Sequence, residues 1–200
     1  MKDLFQGIYN NKKVLITGHN GFKGSWLALW LSNIGAQITG ISLNDYQNSE
    51  HFEQIKNDIN ISEKNHDIGD YEAMLKVISE LKPDIIFHLA AQPLVRDSYD
   101  NPKFTFETNV MGTLNIFEAV RKSGISTKIV NVTTDKVYEN NEQNIAFKES
   151  DPLGGHDPYS SSKACSEIIS ISYKKSYFDK GKVLLATGRA GNVIGGGDWS

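Results

Sequence analysis

A glycine-rich turn set between a short apolar strand and a helix constrains this chain more than any other feature. Lys13-Val-Leu-Ile-Thr17 has the apolar run of a strand buried on both faces, and Phe22 to Asn33 has a helical pattern. Between them lies Thr17-Gly18-His-Asn-Gly21-Phe-Lys-Gly24. Gly18 permits a tight turn, Gly21 lets backbone approach a pyrophosphate, and Gly24 lets helix and strand pack closely. The amides that open the helix then face the phosphates. The spacing is GxxGxxG rather than GxGxxG, and three glycines alone also suit a plain turn. The strand–turn–helix context favours the dinucleotide reading.

An acidic residue about 20 positions further on is expected against the adenosine ribose. The second strand, 37–43, runs into Asn44-Asp45, and Asp45, or Asn44 as a weaker substitute, fills that role. No Arg lies nearby to hold a 2′-phosphate, so NAD is favoured over NADP as cofactor. Asp67-Ile68 ends a third strand, where adenine can be contacted; Asp67 reads equally well as a solvated loop carboxylate.

Beyond the turn, strands and helices alternate. The stretch 44–65 is polar and irregular, with a short helix near Phe52. The pattern predicts helices over 70–81, 101–123 (ended by Gly124) and 158–176, and strands over 84–89, 128–132 and 182–187. Such alternation gives an α/β fold, a doubly wound parallel sheet of Rossmann type covered on both faces. Trp26 and Trp30, at helical spacing, are expected in the core, as is His88 within its strand. Residues 1–187 are expected to form the dinucleotide-binding domain and 188–200 to open a substrate-binding part. A finish at Gly195-Gly-Gly-Asp-Trp-Ser200 suggests that this chain is a fragment of a longer protein.

A net charge of −3 gives no reason to expect nucleic acid or an anionic membrane as partner. The single cysteine, Cys165, cannot form an internal disulfide, and the start of the chain lacks a signal-peptide core, so a soluble cytoplasmic protein is expected. Cys165 reads as a small buried filler. No metal site is expected.

The acid–base chemistry lies in Thr134-Asp135-Lys136 and in Tyr159-Ser-Ser-Ser-Lys163. Residues four apart on a helix share a face, so the Lys163 ammonium can favour the Tyr159 phenolate and lower its pKa. That gives a general base for a sugar or alcohol hydroxyl. Tyr159 and Lys163 also suit ordinary surface packing, and Asp135-Lys136 a strand-end ion pair. The cofactor turn tips the balance toward catalysis.

These residues together resemble the extended short-chain dehydrogenases/reductases that act on nucleotide sugars. The GxxGxxG turn, Leu89-Ala90-Ala91, Asn109 and YxxxK carry the resemblance, which covers essentially the whole chain. Gly18-His-Asn-Gly-Phe-Lys-Gly-Ser-Trp26, Ala90-Ala-Gln-Pro-Leu-Val-Arg96, Thr134-Asp-Lys136 and Arg189-Ala-Gly-Asn-Val-Ile-Gly-Gly-Gly-Asp-Trp199 are similar to the CDP-glucose 4,6-dehydratase branch. The dTDP-glucose branch has Asp-Glu in place of Asp135-Lys136, whereas some UDP-N-acetylglucosamine dehydratases share Asp-Lys. Asn44 stands where an acidic residue is common, and His66 where Gly is.

The resemblance implies NAD held by Thr17, Gly18, Asn20, Gly21, Phe22, Lys23, Gly24, Asn44, Asp45, Asp67, Ile68, Leu89, Ala90, Ala91, Asn109, Thr133, Tyr159 and Lys163. It implies a nucleotide-sugar substrate, CDP-glucose, bound by Gln92, Arg96, Thr134, Arg189 and Asn192. The catalytic set is then Thr134, Asp135, Lys136, Tyr159 and Lys163. Asp135 has to be protonated to release the C6 hydroxyl, which a dry pocket would favour. It implies, too, a homodimer or higher homo-oligomer paired through the helices 101–123 and 158–176, and a role in deoxysugar biosynthesis for lipopolysaccharide O-antigen. Two other functions fit the same residues less fully: a UDP-sugar dehydratase or 4-epimerase, and a non-catalytic NAD-binding protein.

Overall fold

The computed structural model describes residues 3–43, 50–140, 146–178 and 181–198. Its strands are β1 (Lys13–Thr17), β2 (Gln37–Ser42), β3 (Ile61–Asn65), β4 (Ile85–His88), β5 (Thr127–Thr134) and β6 (Val183–Ala190). They form a six-stranded sheet in the order β3-β2-β1-β4-β5-β6, with every neighbouring pair parallel. The helices are α1 (Phe22–Asn33), α2 (Glu50–Ile55), α3 (Tyr71–Leu81), α4 (Val95–Asp100), α5 (Pro102–Phe106), α6 (Gly112–Ser123) and α7 (Pro158–Tyr173). This is the doubly wound arrangement expected from the alternation. The strand order reverses between β1 and β4, and there the carboxyl ends of the strands open a crevice.

The sheet separates two apolar layers because side chains alternate along each strand. Val14 and Ile16 of β1 pack with Ala28, Leu31 and Phe52 under α1 and α2. Leu15 joins Met74, Ile78, Ile116, Phe117 and Val120 under α3 and α6. Each such fully buried aliphatic contributes about 1.5–3 kcal/mol.

α1 buries Gly24, Ser25, Ala28 and Leu31, a mostly small-residue face that brings it close to the sheet. Trp26 and Trp30 therefore point outward, 42 % and 47 % exposed, contrary to the expectation of core positions. Trp26 lies against His51 and Trp30 against Phe5. His88, by contrast, is buried as expected.

Other boundaries move for identifiable reasons. β3 is a polar edge strand within the segment read as irregular, and it ends at Asn65, before Asp67 and Ile68. The helix expected over 101–123 is divided. Pro102 opens α5, a wider π-turn runs from Glu107 to Met111, and α6 follows, capped by Gly124 at φ 65°. α4 lies ahead of Pro102. α7 starts on Asp157, whose carboxylate accepts from the Ser160 amide at 2.9 Å. β6 continues three residues past the expected boundary at 187, paired with β5 as far as Ala190. Among the described residues no helix is long and apolar enough to cross a membrane.

Candidate active site

The β1–α1 turn is built on two close approaches. Gly18 has φ +73°, and a Cβ there would stand 2.8 Å from the Ala90 nitrogen. A Cβ on Gly24 would meet the Gly18 carbonyl oxygen at 2.0 Å. Only glycine fits either position. Gly21 differs: its φ is ordinary, and a Cβ would come no nearer than 3.5 Å to the Gly18 oxygen. The chain's own packing does not require glycine at 21. That Cβ would instead narrow a cleft of about 620 Å³ that Gly21 lines.

This cleft gathers Gly18, Asn20, Gly21, Phe22, Lys23 and Gly24 from the turn, Asp67 and Ile68 after β3, and Leu89, Ala90 and Ala91 after β4. All eleven were expected to hold a dinucleotide. Sequence reasoning missed Ile41 to Leu43, Glu50, His66, Phe104 and Thr108, which also line it. Asn44 and Asp45 lie outside the described residues. Backbone amides at the opening of α1, a glycine cradle and an apolar shelf at the ends of β2 and β3 suit pyrophosphate and adenosine.

Thr17 acts beneath the cleft. Its hydroxyl accepts from the Leu89 and Ala90 amides, at 3.2 Å each, and so must donate to His88 Nδ1 at 2.7 Å. Thr113 spends its own proton on the Asn109 carbonyl, so His88 Nε2–H donates to Thr113 Oγ1 at 3.1 Å. The ring is thereby fixed in the neutral Nε2–H tautomer. Burial, and secondarily the Lys163 charge, lower the His88 pKa from 6.5 to about 3.

Two expected contacts turn out to be structural. Asn109, in the π-turn, accepts from the Gln92 amide and donates to Ser162 Oγ, entirely within the core. Thr133 donates to the buried carboxylate of Glu167. Neither side chain reaches the cleft, because both are used in holding loops and helices together.

The catalytic candidates converge at the end of β5. Thr134 closes β5 and Asp135 and Lys136 follow it; the Thr134 hydroxyl donates to Asp135 Oδ1 at 3.2 Å and stands within hydrogen-bonding reach of the Tyr159 phenol. Lys163, one turn along α7, is buried and donates to the Val132 carbonyl at 3.4 Å. Burial and the neighbouring Lys23 lower its pKa from 10.5 to about 8. Lys23 is itself lowered, by burial and by Lys136, with Asp135 opposing. Three amines thus meet where the glycine turn faces β5, a setting suited to an anionic ligand.

Two electrostatic expectations fail. The Tyr159 pKa is raised rather than lowered: burial dominates, the Asp135 and Asp157 carboxylates add to it, and the Thr134 hydrogen bond opposes it. Lys163 is turned to the Val132 carbonyl and does not lower it. Asp135 is exposed, so the described residues do not form a dry pocket around it.

The expected substrate residues are mostly engaged elsewhere. Gln92 borders the cleft, but its amide accepts from Leu94 N at 2.5 Å and donates to Thr105 Oγ1 at 3.1 Å. Arg96 is exposed on α4 and Asn192 beyond β6, and neither lines the cleft. Arg189 pairs with buried Glu167 at 3.0 Å, with its guanidinium 4.9 Å from the Tyr138 ring centroid. Glu167 went unread, although it extends the Tyr159/Lys163 spacing by one more turn. Cys165 is half-buried.

Comparison with known proteins accords with this geometry. Residues 15–188 match the family model described as GDP-mannose 4,6 dehydratase. The chain is 45 % identical to a CDP-glucose 4,6-dehydratase of Salmonella typhimurium, over 100 % of this chain and 56 % of that protein. An epimerase of Methanothermobacter thermautotrophicus superposes with a TM-score of 0.81 at 29 % identity, over 95 % of this chain and 54 % of the other. The UDP-glucose 4-epimerase of Thermus thermophilus, solved in complex with NAD, gives 0.75 at 27 % identity, over 88 % and 54 %. The chain spans about half the length of the curated relatives it matches.

Proposed function

Because this chain belongs to the GDP-mannose 4,6-dehydratase family, we propose that it is the dinucleotide-binding half of an NAD-dependent nucleotide-sugar 4,6-dehydratase, with CDP-glucose as substrate. The observation that carries this is the meeting of Thr134-Asp135-Lys136 with Tyr159 and Lys163 around Lys23, a residue of the glycine turn that also lines the cleft. The 45 % identity to the Salmonella CDP-glucose enzyme supports the choice of nucleotide.

Gly18 to Gly24 would hold the pyrophosphate, and Ile68, Asp67 and Leu43 the adenosine end. NAD bound there supplies a hydride acceptor and donor, so oxidation at C4 and reduction at C6 balance without an outside oxidant. The chain's residues handle protons. Thr134 bonds the C4 oxygen while Tyr159 takes the C4 hydroxyl proton. The resulting 4-ketone acidifies the C5 proton. Lys136 serves that position, as base when neutral or by stabilising the enolate when charged, and a proton returns to C5 once C6 has been reduced. Asp135 gives its proton to the departing C6 hydroxyl, which leaves as water. The product is CDP-4-keto-6-deoxyglucose.

A 4-epimerase on this frame needs Tyr159 and Lys163 but no acid at position 135. A non-catalytic NAD-binding protein needs no matched acid–base set. The whole protein would act in the cytoplasm as a homodimer, paired through the helical stretch 102–123 and α7, where Phe106, Met111, Ile168 and Ile171 are exposed. The test is incubation of the whole protein with CDP-glucose, UDP-N-acetylglucosamine and dTDP-glucose in parallel, following the 4-keto product by its absorbance in base. Product from CDP-glucose alone is expected. Product from another sugar would overturn the substrate, and none from any would overturn the enzyme.

A further inference from the structure

Glu167 is 1 % exposed, deep in the sheet-facing side of α7. Such a carboxylate is tolerated only when fully partnered. Its Oε1 accepts from Thr133 Oγ1 at 2.5 Å, and its Oε2 from Thr187 Oγ1 and Arg189 Nη2 at 3.0 Å each. One helix side chain therefore grips the ends of both β5 and β6. Arg189 carries the tie onward: its Nη1 donates to the Glu149 carbonyl at 3.1 Å, and its guanidinium lies over Tyr138, which stacks on Phe147.

The placement relative to the site is specific. Glu167 lies four residues beyond Lys163 and eight beyond Tyr159, on the same face of the same helix. Its partner Thr133 directly precedes Thr134, the residue whose hydroxyl meets the Tyr159 phenol. Helix and strand thus meet twice, about two turns of helix apart, once at the reacting groups and once behind them.

We propose that Glu167 is a positioning residue that, through Thr133, fixes Thr134 and the following Asp135-Lys136 against Tyr159 on α7. This rests on the dehydratase reading above for its catalytic consequence, though not for the contact itself. The tie to Thr187 and Arg189 anchors Glu167 but does not reach the reacting groups. The two threonines, both bonded to one carboxylate, are therefore not equivalent. A purely structural role would make loss of activity follow loss of stability at either position.

The experiment compares Thr133→Val and Thr187→Val in the whole protein, with Thr133→Ser as the variant that restores the hydroxyl. Two quantities are read: kcat and KM on CDP-glucose, and the Tyr159 phenol titration by ¹³C NMR, identified with Tyr159→Phe. Thr133→Val is expected to lower kcat about tenfold or more, with KM changed less than twofold. It should also move the Tyr159 titration to higher pH, because the Thr134 hydrogen bond is weakened. Thr187→Val should leave both within twofold and within 0.3 pH unit or so, whatever it costs in melting temperature, and Thr133→Ser should restore both. Equal Tyr159 titrations in the two valine variants would overturn the proposal. Inactivity of the wild type on every nucleotide sugar would overturn the dehydratase reading instead, and the titration would still decide the role of Glu167.

Discussion

His88 makes acid a specific perturbation of this fold. Its ring is buried, with Nδ1 accepting from Thr17 and Nε2 donating to Thr113. Protonation turns Nδ1 into a donor facing a hydroxyl whose own acceptor side already holds the Leu89 and Ala90 amides. The Thr17 hydroxyl proton then loses its acceptor, and the charged ring stays in a site closed to water. The ordinary value of 6.5 falls to about 3 in the folded state, so the unfolded chain binds the proton first. The stabilisation is complete above pH 6.5 and is lost as pH falls toward 3. Between pH 7 and pH 4.5 the linkage amounts to about 2–3 kcal/mol. Asp84 and Glu118, whose pKa values are also lowered, lose stability in the same direction. The assay is therefore a difference: urea unfolding of the wild type and of His88→Gln at half-unit steps from pH 7 to 4.5. Gln offers Thr17 an acceptor and Thr113 a donor without titrating. The wild type should lose about 2–3 kcal/mol more than the variant over that range. Parallel stability curves would refute the buried neutral-histidine account.

Three further outcomes follow from the geometry. Gly24→Ala should cost about 1–3 kcal/mol or more, since its Cβ would collide with the Gly18 oxygen, and should be read from the urea midpoint. Gly21→Ala should stay within about 1 kcal/mol in stability yet weaken NAD binding measured by calorimetry, because its Cβ meets the cradle rather than the chain. Lys163, held at about 8, should make the protein more stable as pH rises from 8 toward 10.5, by at most roughly 1.4 kcal/mol per unit; Lys163→Met should remove that rise in urea unfolding.

What could be read in the sequence was what local pattern encodes. The apolar runs of β1, β4 and β5, the glycine turn and the Tyr159/Lys163 spacing depend on neighbours in the chain, and the structure forms each of them. β3 was poorly legible because Ile61-Ser-Glu-Lys-Asn65 is an edge strand, where solvent removes the apolar signal. Trp26 and Trp30 are misplaced by their helical spacing, which suggests a core face, whereas α1 buries its small residues to approach the sheet. The substrate role expected of Arg189 gave way to Glu167, a partner 22 residues away in the chain that only the β5–β6–α7 packing brings near. The same holds for Tyr159. Spacing placed Lys163 on its face of the helix, but the Val132 carbonyl, a tertiary partner, takes the ammonium.

The central claim is that this cleft and its acid–base corner carry out an internal oxidation and reduction on one sugar. Incubating the whole protein with CDP-[4-²H]glucose and locating the label by NMR tests it most directly. The account predicts deuterium at C6 of a 4-keto-6-deoxy product. Deuterium returned to C4 of an epimerised sugar, or a product carrying only solvent hydrogen at C6, would contradict it.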